Sequence, residues 1–312
     1  MKILITGGSG FLGSHIADRL LARGDRVVVI DNFATGRRDN LAPHPNLKVV
    51  EGTIVDRGLV FSMFEEFQPD MVIHAAASYK DPNNWEEDSR TNVTGTANIV
   101  QAAEATNVKR LIYFQTALGY GLHPLEQPIT LNHPILPDGS SYAISKTAGE
   151  QYIALGKIDF ISFRLANAYG PRNISGPLPT FFQRLTNGQK CFCMNTRRDF
   201  IYVQDLVNVV VKALDGMGSN GYYHISSGSD YSIKELFDAT VAALGITLDE
   251  PVAIHERNPD DVFSILLDPS KTNEDFQWQT TTPLVEGVKE TIEYYKKFGI
   301  TQTFTHLHLP KD

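Results

Sequence analysis

The opening stretch, MKILITGGSGFLGSHIADRLLARGDRVVVIDNF, constrains the fold more than any other part of the chain. An apolar run breaks into clustered glycines, turns amphipathic, and ends in a second apolar run closed by Asp31, the pattern of strand, tight turn, helix and strand. Gly8, Gly10 and Gly13 satisfy G-x-G-x-x-G, while Gly7, Gly10 and Gly13 satisfy G-x-x-G-x-x-G. In such a set the first glycine lets the backbone turn sharply out of the strand. The second lets a pyrophosphate approach main-chain N–H groups at the helix N-terminus, and the third lets the helix lie close to the sheet. Asp31 falls where a carboxylate accepts hydrogen bonds from an adenosine ribose diol, so the stretch predicts a dinucleotide site. A carboxylate there repels a ribose 2′-phosphate, which favours NAD over NADP, and Arg37 and Arg38 in the loop that follows read as solvated.

The rest of the chain is read against that start. Its 312 residues suffice for one large domain or two tightly joined ones. A net charge of −8 without any basic block speaks against a nucleic-acid surface. The first strand begins at Lys2, which leaves no room for a secretory leader, and no apolar run reaches membrane-spanning length. Cys191 and Cys193 would point to opposite faces of a strand, so neither a disulfide nor a metal site is expected, and a reducing cytoplasm fits.

Strand patterns recur at Leu47–Gly52, Pro69–Ala77, Val108–Thr116 and Phe160–Leu165, alternating with helical ones at Leu59–Phe67, Asp88–Glu104 and from Ser140-Ser141 onward. The alternation predicts an α/β fold, a Rossmann-type doubly wound parallel sheet whose ligands lie beyond the carboxyl ends of the strands. Thr116 is then at the ligand edge, and His74 is expected to be packed or hydrogen-bonded. Pro124, Pro128, Pro134 and Pro137 predict a surface excursion. After Asn167–Pro171 the order grows irregular: helices at Leu178–Asn187, Val203–Leu214, Ile233–Leu244 and Pro283–Phe298, and strands at Lys190–Met194 and Gly221–Ile225. The expected division is an NAD-binding domain over 1–170 that carries the catalytic residues, and a smaller α/β substrate lobe over 171–312, some segments of which return to the sheet. The tail Thr303–Asp312 is expected to be loosely held.

Tyr142 and Lys146 form Y-x-x-x-K, one helical turn apart on a common face. An adjacent ammonium, with the positive ring of an oxidised nicotinamide, favours the phenolate and brings a tyrosine towards use as a general base. These residues, together with GGSGFLG, Asp31-Asn32, the HAAA run at His74 and Thr116 four residues before Tyr120-Gly121, resemble the extended short-chain dehydrogenase/reductase family, in particular its nucleotide-sugar epimerases and dehydratases. Arg164-x-x-Asn167-x-Tyr169-Gly170-Pro171, the segment Arg198 to Asp205 and Asp268-x-Ser270-Lys271 extend the resemblance over nearly the whole chain.

The resemblance implies roles. Thr116 would hydrogen-bond the sugar hydroxyl being oxidised, Tyr142 would take its proton, and Lys146 would lower the Tyr142 pKa and bind the nicotinamide ribose. NAD would lie against Gly7, Gly10, Phe11, Leu12, Gly13, Asp31, Asn32, Thr53, Ile54, Ala75, Ala76 and Ala77 as well as Tyr142 and Lys146. A UDP-sugar would meet Lys80, Thr116, Asn167, Arg198 and Arg257, the arginines facing its diphosphate. Related 4,6-dehydratases place an acidic pair directly after the catalytic threonine. Here Ala117 and Leu118 stand there and neither moves a proton, which leaves oxidation at C4 and return of the hydride to either face.

The chain departs from the family pattern at three places. Thr53 stands where an aspartate usually contacts adenine, with Asp56 as an alternative; Cys191–Arg197 replaces a glycine-rich run; and Asn258 occupies the place of a second diphosphate arginine, shifting that role to Arg257. Ile265 stands where some epimerases carry a bulky tyrosine that excludes N-acetylated sugars, though an apolar strand residue is also an ordinary packing choice. The resemblance further implies a homodimer through helices around Asp88–Glu104 and Ser141–Gly156. The expected activity is 4-epimerisation of a UDP-hexose or UDP-N-acetylhexosamine derivative. A net reductase or decarboxylase, or a non-catalytic NAD-binding regulator, are the alternatives.

Overall fold

In the first strand, Lys2–Thr6 (β1), Ile3 and Ile5 pack with one buried cluster and Leu4 with another, so both faces are covered and the run needs no polar alternation. A computed structural model describes residues 1–257, 261–300 and 302–304. The same two-sided burial recurs along Arg26–Asp31 (β2), where Val27 and Val29 face one way and Val28 and Ile30 the other. Leu47–Glu51 (β3), Met71–His74 (β4), Arg110–Thr116 (β5) and Phe160–Leu165 (β6) follow. With the later strand Gly221–Ile225 they make one seven-stranded sheet, all of whose pairings are parallel. Read across the sheet, the order is β3-β2-β1-β4-β5-β6 and then Gly221–Ile225. Strand order therefore reverses between β1 and β4, the switch point at which doubly wound sheets open a crevice.

One cluster lies beneath Phe11–Ala22 (α1) and the later helix Val203–Leu214. The other lies beneath Arg57–Phe67 (α2), Thr96–Ala105 and Ser141–Leu155. Asp56 caps α2 through its Oδ1, which accepts from Leu59 N at 3.0 Å. The segment expected to form a single helix over Asp88–Glu104 is instead Trp85–Asp88 (α3), a π-helical stretch Ser89–Gly95, and Thr96–Ala105 (α4). Thr96 Oγ1 donates to the Asn92 carbonyl at 2.6 Å inside that transition. Ser140 caps the next helix, Ser141–Leu155 (α5), by accepting from Ala143 N at 3.3 Å.

Beyond β6 the chain leaves the sheet in three-residue strands, which are too short to show a period: Asn167–Tyr169 (β7), Phe192–Met194 (β8) and, after the pair Arg197–Arg198 (β9), Phe200–Tyr202 (β10). β7 pairs with β10, which brings Asn167 beside Phe200. Gly221–Ile225 (β11) then completes the sheet edge. The helices Pro177–Thr186 (α6), Val203–Leu214 (α7), Ile233–Leu244 (α8), Ser270–Phe276 (α9) and Leu284–Phe298 (α10) fall close to their expected ranges where these were drawn, and α9 was not anticipated. The tail is not loose where it is described. Phe304 N donates to Ile174 O and Gly176 N to Phe304 O, both at 2.9 Å, and Thr303 Oγ1 donates to Gln183 Oε1 at 3.1 Å. Asn258 and the remainder of the tail, 305–312, lie outside the described residues.

Candidate active site

A cavity of about 940 Å³ runs from the glycine turn, past the carboxyl ends of β1, β4, β5 and β6, into the lobe formed by α6, β8, β9 and α8. Gly7, Gly10 and Gly13 line it and Gly8 does not, so the working spacing is G-x-x-G-x-x-G. Gly7 has φ +66°, and a Cβ there would stand 2.7 Å from both Cα and N of Ala76. The turns after β1 and β4 thus meet backbone to backbone, which only glycine permits. Gly13 abuts the Gly7 carbonyl, while Gly8 is the residue pressed against Val29 of β2. Gly13 thus gives α1 the close approach to the end of β1 expected of the third glycine, and Gly8 adds a second close contact, against β2. α1 begins after Gly10 with no side-chain cap, leaving its first amides and the positive end of its dipole for an anion.

Asp31 lines the same cavity and is 6% exposed. Its Oδ2 accepts from Ser9 N and its Oδ1 from Phe33 N, both at 2.8 Å. Each oxygen keeps a second lone pair for a ribose hydroxyl. Burial raises its pKa and the two amides oppose that rise. Arg37 is tied to Asp39 and Arg38 to Glu51, so neither is offered to a 2′-phosphate. Phe11, Leu12, Asn32, Thr53, Ile54, Ala75, Ala76 and Ala77 all lie on the wall. Asp56, the alternative to Thr53 for the adenine contact, is held as the α2 cap and is not on it.

Further along, the cavity brings together Thr116 at the end of β5 and Tyr142 and Lys146 on α5. Thr116 Oγ1 accepts from Leu118 N at 3.2 Å, and Ala117 and Leu118 beside it present no acid. Lys146 is 3% exposed, and burial lowers its pKa to about 7 against the opposing pull of Glu150. Within the chain itself the Tyr142 phenol is raised, not lowered: burial dominates, with Tyr79 and Asp88 adding to it. The lowering expected from the Lys146 spacing is not found in the chain alone, where desolvation sets the direction. His74 is packed as expected, fully buried between Thr6 Oγ1 at 2.7 Å and Thr96 Oγ1 at 2.9 Å, and burial holds its pKa near 3.

The substrate-facing residues divide. Lys80, Asn167, Arg198 and Ile265 reach the wall; Arg257 does not. Lys80 Nζ stands 4.9 Å from the Phe304 ring centroid. Arg198 is engaged within the protein: Nη2 meets Asp261 Oδ1 at 2.8 Å, and Nη1 donates to Arg197 O and Val262 O. Arg257 donates to the Asp261 main-chain carbonyl at 2.8 Å, so it holds the backbone of the residue that binds Arg198 and is not on the cavity wall. Asp261 itself lines the wall and was not anticipated. Nor were Tyr79, which also lines it, and Asn92, whose side chain accepts from Ser78 N at 2.8 Å and donates to Ser78 O and Ser145 Oγ at 3.0 Å. An asparagine amid apolar helical residues was the available sign. Cys191 and Cys193 are both free, and among the described residues no group of His, Cys, Asp or Glu is arranged to hold a metal ion.

A model of the NAD dependent epimerase/dehydratase family matches residues 3–226. The chain belongs to this family. Among solved structures it is similar to the Bordetella bronchiseptica enzyme WbmH in complex with NAD+, with 54% identity and a TM-score of 0.93 over 96% of this chain and 100% of that one. The same organism's WbmG, in complex with NAD and UDP, is 45% identical with a TM-score of 0.92 over 99% of each chain. A UDP-glucose 4-epimerase of Mycolicibacterium smegmatis is 31% identical over 313 residues, covering 95% of this chain and 99% of its own. NAD is the cofactor of this epimerase/dehydratase fold, and the residues fit it: a glycine cradle that a Cβ would fill, an uncapped helix start, and a buried carboxylate with lone pairs to spare. No helix among the described residues is long and apolar enough to cross a membrane.

Proposed function

We propose that the protein inverts C4 of a nucleotide-activated sugar, a UDP-hexose or UDP-N-acetylhexosamine derivative, through a transient 4-keto form. The observation that carries this reading is that Thr116, Tyr142 and Lys146 share one cavity with the glycine cradle, while Ala117 and Leu118 stand where dehydration would need an acid and a base. The likeness to a protein named UDP-glucose 4-epimerase and to one holding NAD and UDP supports it.

Bound NAD supplies a reversible hydride acceptor. The chain does the rest. Thr116 Oγ1 hydrogen-bonds the C4 hydroxyl, charged Lys146 favours the phenolate form of Tyr142, and that phenolate Oη takes the hydroxyl proton and becomes the neutral phenol. The keto sugar turns over within the cavity, and Tyr142 returns the proton when C4 is reduced from the other face. Net redox change is zero. Ile265, which lines the cavity, is smaller than a tyrosine, and that difference favours a substrate with a 2-acetamido group.

Incubation with a panel of UDP-hexoses, followed by sugar NMR and by absorbance of reduced nicotinamide, tests the proposal. A C4 epimer without net reduced nicotinamide is expected. A stoichiometric change in nicotinamide would instead indicate a reductase or decarboxylase, and no conversion a nucleotide-binding scaffold.

We also infer a homodimer. Ile144, Tyr152 and Leu155 on α5 are 54%, 44% and 78% exposed, an apolar strip on a helix that packs beside α3 and α4. Light scattering at micromolar concentration is expected to give twice the chain mass; a monomer would contradict the inference.

A further inference from the structure

Tyr113 and Lys146 meet twice. Tyr113, on β5, is 1% exposed and shares with Leu111 the sheet face covered by α4 and α5. Its hydroxyl donates to the Lys146 carbonyl at 3.0 Å. The Lys146 Nζ in turn stands 3.9 Å from the centroid of its ring. One buried side chain therefore holds both the main chain and the charged end of the same residue. The face of an aromatic ring is electron-rich and attracts a cation, most strongly where water is excluded.

The other groups facing the ammonium do less for it. His74, from β4, is held neutral by burial and hydrogen-bonded to two threonines, so it offers no negative charge. Glu150, one turn further along α5, shares its carboxylate with Arg164 at 2.9 Å and Ser162 at 2.5 Å, which divides its field. Tyr142, on the same helix, is itself raised by burial in the chain alone, so there it sets no negative charge against the ammonium. The ring of Tyr113 is seated directly against Nζ, its centroid 3.9 Å away.

We propose that Tyr113 is a positioning residue of the reaction, its ring face holding the charged ammonium of Lys146 beside Tyr142. The proposal rests on the reading of Lys146 as the group that assists Tyr142. Only the charged ammonium serves, so activity is present below its midpoint and lost as pH rises through it. Removing an attraction for the charged form lowers that midpoint.

The test pairs Tyr113→Phe with Tyr113→Leu, and adds 3,4,5-trifluorophenylalanine at position 113, which keeps the ring's shape and weakens its negative face. Two quantities are read on the NAD-loaded protein. One is the alkaline limb of kcat with the converted UDP-hexose. The other is the midpoint of Lys146 itself, from competitive acetylation with acetic anhydride across pH, read by peptide mass spectrometry without any sugar. Phe is expected to leave both in place, Leu to move both down by about one pH unit, and the fluorinated ring to move both part-way. Should Leu fail to fold, the fluorinated ring decides. If kcat falls equally at every pH while neither midpoint moves, Tyr113 is only core filling and the proposal is overturned. If no UDP-hexose is converted, the proposed function fails, while the acetylation midpoint still decides the role of Tyr113.

Discussion

Replacing Tyr142 with Phe is expected to lower kcat by about a thousandfold, the range typical of a lost general base, while NAD and nucleotide sugar remain bound. The phenol oxygen is the only part removed, and the ring that lines the cavity stays. Tyr142 lies on α5 one turn before Lys146 and lines the same cavity as Thr116. Burial raises the phenol within the chain, which makes the protein alone a poor base. The account therefore requires that the positive charge of Lys146 act in the loaded cavity. Turnover by NMR, with bound NAD measured on the same sample, separates chemistry from binding. Near-normal turnover in the variant would remove Tyr142 from the mechanism.

Glu150→Ala is expected to destabilise the protein by about 3–5 kcal/mol, because it strands the Arg164 guanidinium in the interior. Glu150 and Arg164 are 4% and 5% exposed, and they meet through Nη2–Oε2 at 2.9 Å and Nε–Oε1 at 3.2 Å. Ser162 donates to the same carboxylate at 2.5 Å, and the far Arg164 nitrogen donates to Tyr120 Oη at 2.9 Å. The network ties α5, which carries Tyr142 and Lys146, to β6 beneath it. Replacing both partners, Glu150→Leu with Arg164→Met, is expected to recover most of the loss, since a buried pair costs most when only one half is removed. Denaturant unfolding of the two single variants and the double variant measures this. A loss below about 1 kcal/mol in Glu150→Ala would mean that the pair is not the clamp described.

The parts of this molecule that read directly from its residues are those with a local period or a fixed spacing. The glycine turn with Asp31 is contiguous, β1, β2, β4 and β5 each hold an unbroken apolar run, and Y-x-x-x-K needs only one helical turn to align its members. What did not read depends on distance along the chain. Arg198 was expected to meet a diphosphate, and nothing in its neighbourhood announces Asp261, which takes its Nη2 from 63 residues away. Arg257 carries the right charge near the right place, yet its guanidinium turns to the Asp261 main chain. Asn92 lies inside the segment expected as one helix, Asp88–Glu104. Apolar periodicity does not distinguish a π-helical stretch from an α-helix, and so it hid the turn that aims Asn92 at Ser78 and Ser145. Tyr113 was visible only as a strand residue; that it faces α5 follows from the alternation, and that it meets Lys146 follows only from the packing.

The central claim, that C4 is oxidised and then reduced with no net exchange, is tested most directly with a UDP-hexose carrying deuterium at C4, incubated with the NAD-loaded protein in ordinary water. The account predicts an epimer that keeps its deuterium at C4, with reduced nicotinamide not accumulating in step with product. An epimer bearing a solvent hydrogen at C4, or a product formed mole for mole with reduced nicotinamide, would contradict it.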